Sequence, residues 1–162
     1  MRNDGSSFES IEEAEEKILK LEYRLAQIEQ VESCQQDYLS FVRTMWPEFI
    51  AGRHHKIMAE KLERVASGEL KRLIINMPPR HTKSEFASIY FPSWMMGLQP
   101  NLKIMQTTHT ADLSINFGRK VRNLMDTEEY TKIFQDSDRL NREIETKIYF
   151  TSYPIDAHIF PC

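Results

Sequence analysis

Glycine and proline are scarce in this 162-residue chain, at five and seven residues, which excludes a collagen-like or low-complexity polymer. Cysteine is scarcer still. Cys34 and Cys162 are too few for a disulfide framework or a four-cysteine zinc site, so a reducing compartment is the default. No apolar run approaches the roughly 18–20 residues that a bilayer span needs, and the first sixteen residues are too acidic for a signal peptide. Neither sign of charge dominates: the formal net charge is −3, and bulk composition alone gives no hint of nucleic acid. What is present is ordinary globular material, 41% hydrophobic and 10% aromatic. That is enough to build one domain with a real core.

The charge is unevenly spread. Up to Asp37 there are four Lys/Arg against ten Asp/Glu, and the remainder holds 17 basic and 14 acidic residues. An acidic leader, residues 1–36, therefore precedes a mildly basic body. In the leader, Ile11, Ala14, Ile18, Leu21, Leu25 and Ile28 recur at spacings of three and four, the stripe of an amphipathic helix. Ser10 is a candidate cap, with Glu12, Glu13, Glu15 and Glu16 in the first turns, where the helix dipole favours negative charge. Such a helix can dock on its own domain, pair with another subunit or stand as a solvated arm.

Beyond the leader, Tyr38–Trp46 reads as a short apolar helix stopped by Pro47, and Arg53–Ser67 as a helix ended by Gly68. Leu70–Met77 holds the continuous apolar run Leu73-Ile74-Ile75, the signature of a buried parallel strand. Pro78-Pro79 stops it. A helix from Lys83 to about Met96, a second strand over Leu102–Thr107 and helices over Ala111–Met125 and Thr127–Phe134 follow. Strand, loop, helix, strand, helix is a βαβ unit, which predicts an α/β fold with a parallel sheet.

Between the first strand and its helix lies Asn76-Met77-Pro78-Pro79-Arg80-His81-Thr82-Lys83-Ser84. This is the place of a phosphate-binding loop, G-x-x-x-x-G-K-[ST], whose backbone N–H groups cradle phosphates while the Lys reaches the β/γ-phosphates and the hydroxyl holds Mg²⁺. Lys83-Ser84 is kept, at a helix N-terminus that suits an anion. Both glycines are missing: Met77 or Pro78 lies near the first position and Thr82 occupies the second. On residues alone, a phosphate site and an ordinary βα turn whose Lys covers the sheet edge stand level.

The run Lys71–Glu85 (KRLIINMPPRHTKSE) resembles the degenerate Walker A region of tailed-bacteriophage terminase large subunits, the ATP-driven DNA-packaging motors. The flanks FVRTMWPEF (41–49), GRHHKIMAEK (52–61) and IMQTTHTADLSINFGRKVRNLM (104–125) resemble that family too, so the likeness runs from about Tyr38 to Asp136. It implies a partial P-loop NTPase (RecA/ASCE-like) domain over 37–138, its parallel sheet flanked by helices and preceded by the leader. It also implies an ATP phosphate site of Pro79, Arg80, His81, Thr82, Lys83 and Ser84, with Lys83 on the β/γ-phosphates and Ser84 on Mg²⁺. Arg80 would be the catalytic residue that stabilises charge developing on the γ-phosphate. His54 or His55, about 28 residues upstream, is a candidate adenine contact, against partly exposed histidines at a helix start. The partners implied are double-stranded phage DNA, the portal protein, the small terminase subunit and other large-subunit copies in a ring, with no membrane. The implied location is the host bacterial cytoplasm and, transiently, the procapsid portal.

Thr107, Thr108 and His109, at the end of the second strand, face the ligand edge of such a sheet or merely cap the next helix. Arg119, Lys120 and Arg122 form either a phosphate-contacting or a solvated face. An ATPase of this class also needs a Walker B strand, an apolar run ending in Asp. None occurs here; Tyr153-Pro154-Ile155-Asp156 is broken by its proline. The family's acidic two-metal nuclease domain is absent as well. From Arg139 to Cys162 the resemblance stops, and Lys147–Ser152 reads as a short strand without partners. That pattern predicts a truncated, frame-disrupted or incompletely sequenced gene product with weak ATP–Mg²⁺ binding and no turnover. A non-catalytic interaction protein is the rival reading, and an unrelated P-loop kinase a weaker one.

Overall fold

The computed structural model describes the backbone of residues 5–134 and 148–152, and the side chains of residues 13–134. Helix α1 spans Gly5–Gln36, so the leader is a single helix whose end coincides with the expected boundary. It runs through Ser10, which therefore is not its cap. The apolar stripe does not dock on the body: Ile18, Leu21, Leu25 and Ile28 are 54–59% exposed. Only the last turns are anchored. Cys34 is buried, its carbonyl accepts from Trp94 Nε1 at 2.8 Å, and Gln35 Nε2 donates to the Ile133 carbonyl at 2.7 Å.

Helix α2 (Tyr38–Met45) starts on Asp37, whose carboxylate accepts from the Ser40 N–H at 2.5 Å. The Tyr38 N–H reaches across to Glu63 Oε1 at 2.9 Å, tying α2 to α3 (Arg53–Ala66). Gly68 adopts φ +78° just past α3, the left-handed turn that the sequence predicts there. Lys83–Leu98 is one helical run in three parts: α4 (Lys83–Glu85), a π-helical turn (Phe86–Tyr90) and α5 (Phe91–Leu98). Pro92 accounts for the widened turn. A proline inside a helix has no N–H to give, and its ring collides with the carbonyl four residues back. The Phe86 carbonyl accepts from the Phe91 N–H and from the buried Tyr38 hydroxyl.

Strand β1 (Ile104–Thr108), α6 (Ala111–Met125), α7 (Glu128–Ile133) and β2 (Ile148–Ser152) complete the described elements. β1 and β2 pair in parallel with Ile104 opposite Ile148 and Thr108 opposite Ser152. The strand expected to lack partners therefore has one. Leu70–Met77, expected as a buried strand, joins no ladder among the described residues. Its side chains alternate instead: Leu73, Ile75 and Met77 pack against the core while Ile74 is 86% exposed. Without a neighbouring strand, only the face that meets the helices gains from burial, and the apolar run keeps a strand's period of two without its pairing.

The core is aromatic and helical. Tyr38, Phe41, Phe86, Trp94, Tyr130 and Phe134 meet within it, with Val121 and Met125 from α6 fully buried beside them. Two of its buried hydroxyls are satisfied by backbone carbonyls: Tyr130 donates to the Ser93 carbonyl at 2.7 Å, and Ser93 to the Ile89 carbonyl at 2.8 Å. Burial pushes both the Tyr38 and Tyr130 phenols upward in pKa. Gly97 lies against this core; a Cβ there would stand 2.5–2.6 Å from three ring carbons of Phe134. Gly97→Ala should therefore destabilise the chain by about 1–3 kcal/mol, more than the helix propensity of alanine returns. A lower denaturant midpoint at unchanged slope is the expected readout.

No described helix is long and apolar enough to cross a membrane.

Candidate phosphate-binding loop

The segment that follows Met77 turns at Pro79-Arg80 and enters α4 at Lys83. Two residues in it are left-handed: Arg80 at φ +64° and Thr82 at φ +55°, ψ 9°. They are the only non-glycine residues with positive φ among those described. For a β-branched threonine this backbone is a true outlier, costing on the order of 1–2 kcal/mol. Thr82 stands where the usual loop has its second glycine, so the chain takes a glycine's conformation without a glycine. The result is a concavity of about 440 Å³ lined solely by the continuous run Met77–Glu85. Among the described residues, no acceptor takes the N–H groups of Arg80, Thr82, Lys83 and Ser84, while the turn at Pro79-Arg80 brings the His81 N–H toward the Pro78 carbonyl.

Thr82 is held in place by a histidine from α3. His55 Nε2 lies 2.5 Å from Thr82 Oγ1, and that hydroxyl donates in turn to the His81 carbonyl at 2.7 Å. The Gly52 N–H donates to His55 Nδ1 at 3.1 Å. These bonds fix the tautomer. Nδ1 must accept and Nε2 must donate, so the ring is neutral. The ring is 5% exposed and is flanked by Phe49, Phe86 and His54 at centroid distances of 4.7, 5.4 and 3.8 Å. Burial foremost, and then the neighbouring His54, hold its pKa below the ordinary imidazole value.

With both ring nitrogens engaged, His55 has nothing to offer an adenine edge in this arrangement. It braces the loop instead. His54 is half-buried, and its Nε2 is buried without a hydrogen-bond partner among the described residues. His81 is exposed and donates from Nδ1 to the Pro79 carbonyl at 2.9 Å. No motif or spacing in the sequence points directly to the His55–Thr82 bond. The one available clue is that a threonine in a glycine's place requires a support from somewhere.

The loop's charges are unbalanced. Arg80 and Lys83 make no ion pair among the described residues. Glu85, the nearby carboxylate, is already paired with Lys120 of α6 at 2.6 Å. Lys83 is the first residue of α4, where the dipole disfavours a cation. Ser84 is exposed at the same end. A serine hydroxyl there is one oxygen ligand of the kind Mg²⁺ takes beside phosphates and waters.

The other expected contacts fall elsewhere. Thr108 Oγ1 donates to the Thr110 carbonyl at 2.7 Å and lies 2.6 Å from Ser114 Oγ. Thr110, rather than Thr107 or Thr108, caps α6 by accepting from the Leu113 N–H at 3.3 Å. Thr107 and His109 are exposed. No hydrogen bond or ring contact joins these residues to the loop among those described. Arg119 and Arg122 are exposed on α6, while Lys120 serves Glu85. The tail from Arg139, including Tyr153-Pro154-Ile155-Asp156, lies outside the described residues apart from β2.

No family model, no curated protein and no solved structure matches this chain.

Proposed function

We propose that this chain is the N-terminal ATPase-domain portion of a tailed-phage terminase large subunit, in which Arg80–Ser84 receives the phosphates of ATP. One observation carries the reading. Two unpaired cations, four open N–H groups and two left-handed residues converge on a loop at a helix N-terminus. The left-handed backbone costs energy in the loop by itself, and a bound polyphosphate offsets that cost by engaging the cations and the N–H groups together. The order of the resembling segments supplies the rest of the argument. In this reading Lys83 binds the β/γ-phosphates, Ser84 holds Mg²⁺ and Arg80 meets the γ-phosphate. The full-length form would couple hydrolysis to packaging of double-stranded DNA through the portal and cut the concatemer. This chain shows no Walker B run and is expected to bind without turnover.

Titration of the full chain with a fluorescent ATP analogue and Mg²⁺ tests the site. Saturable binding that ATP and ADP displace, and AMP does not, is the expected result, because the loop reads the β-phosphate. Absence of saturable binding overturns the assignment.

The second reading, a non-catalytic interaction protein that binds terminase, portal or DNA components, is favoured by the exposed apolar stripe on α1.

A further inference from the structure

Helix α1 carries more than an unpartnered apolar stripe. Its charges are placed in register with that stripe. Written as heptads, Ile11, Ile18 and Leu25 are a positions and Ala14, Leu21 and Ile28 are d positions. The e positions are then Glu15, Glu22 and Glu29, all acidic, while g holds Lys17 and Arg24, both basic. All five of these side chains are exposed and make no ion pair among the described residues. Four of them have no opposite charge three or four residues away in their own helix; only Lys17 does, in Glu13. The ion pair that α1 does make, Glu16 to Lys20 at 2.5 Å, sits away from the seam at f and c. The flanking charges thus contribute little to the isolated helix.

We infer that α1 pairs with α1 of a second copy of this chain as a parallel two-stranded coiled coil over residues 11–28. In a parallel pair, g of one helix faces e of the next heptad on its partner. Lys17 then meets the partner's Glu22, and Arg24 the partner's Glu29, twice over by symmetry. An antiparallel pair sets g against g and e against e, which here places cation on cation and carboxylate on carboxylate. Charge therefore selects both the partner and its direction. Ile18 at a with Leu21 at d favours two strands, Leu25 at a with Ile28 at d favours more, and Ala14 lets the helices approach closely at the upper end.

The body leaves room. Beside the lower seam, between α1, the end of α5 and α7, lies an open groove of about 1260 Å³ that touches Leu21, Leu25, Ile28, Leu98 and Ile133. The seam is about 27 Å long at 1.5 Å per residue, under three heptads, so the association is concentration-dependent rather than obligate. It is independent of the nucleotide site.

Sedimentation equilibrium of the full chain, with helix content followed by circular dichroism, tests it. The wild type should pass from monomer to dimer through the micromolar range. K17E/R24E and E22K/E29K should each stay monomeric at unchanged helix content, and a one-to-one mixture of the two should form a heterodimer. In a Cys162→Ser background, Ala14→Cys should cross-link to itself on mild oxidation, as only the parallel register allows. A wild type that stays monomeric, charge variants that self-associate like the wild type, a trimer or tetramer, or an Ala14→Cys dimer that fails to cross-link would each overturn the inference.

Discussion

Lys83→Ala should weaken the binding of ATP–Mg²⁺ by about tenfold to 150-fold, the loss of one charge-assisted contact of about 1.5–3 kcal/mol. The same substitution should leave the fold intact. Lys83 is half-buried but holds no partner among the described residues, so nothing inside the chain is orphaned when it goes. It stands at the first position of a helix, where alanine is the better helix former and where a cation opposes the dipole by about 0.3–1 kcal/mol. The variant should therefore unfold at the same or a slightly higher denaturant concentration. Wild type and variant should also respond differently to nucleotide. Saturating ATP raises the stability of a protein that binds it in the folded state alone, and at equal nucleotide concentration the rise should be smaller in the variant. Equal affinities in a direct titration would show that the loop is an ordinary turn.

How much of this was legible in the sequence depends on what each element answers to. Helices that obey local rules were readable almost to the residue. Ala111–Met125 is α6 as expected, and the left-handed Gly68 ends α3. Asp37 and Thr127 cap helices through their own side chains, accepting from Ser40 and Tyr130, although neither was expected as a cap. Elements that depend on distant partners were less so. An apolar run such as Leu73-Ile74-Ile75 specifies a preference for burial, but whether a neighbour lies on each side is a property of the whole sheet. Ile74 is left in solvent for want of that neighbour, while Ile148–Ser152 found one in β1.

The α1 stripe is a similar case. Periodicity marks a face that prefers burial, and the periodicity is the same whether the cover is the body or another chain. In the candidate site, Lys83-Ser84 at the start of a helix was visible as a pattern. The His55–Thr82 bond was not, because it joins residues 27 apart across two elements with no spacing rule between them.

The His55 ring that makes this bond also makes the stability of the loop depend on pH, through its other nitrogen. Protonating His55 puts an N–H at Nδ1 against the Gly52 N–H, donor facing donor, so the bond that orients the ring is lost, although Nε2 can still donate to Thr82. The His54 ring lies 3.8 Å from the same ring, and like-charge repulsion from His54 and His81 opposes protonation of His55. Because the folded-state pKa lies below the unfolded value of about 6.5, the unfolded chain takes up this proton first. The contribution is fully present above that value and is lost as pH falls through the folded pKa, with a slope of at most about 1.4 kcal/mol per pH unit. His55→Gln keeps a carbonyl for the Gly52 N–H and an amide for Thr82, yet cannot titrate. Its stability between pH 7 and pH 5 should fall less steeply than that of the wild type, with the other histidines common to both. His55→Ala should lose about 2–4 kcal/mol at neutral pH, through the vacated ring volume and two missing hydrogen bonds. It should also weaken ATP binding, as Thr82 is released from the left-handed backbone that opens the loop. Parallel pH profiles for wild type and His55→Gln would remove the histidine from this role, and full ATP affinity in His55→Ala would separate the brace from the site.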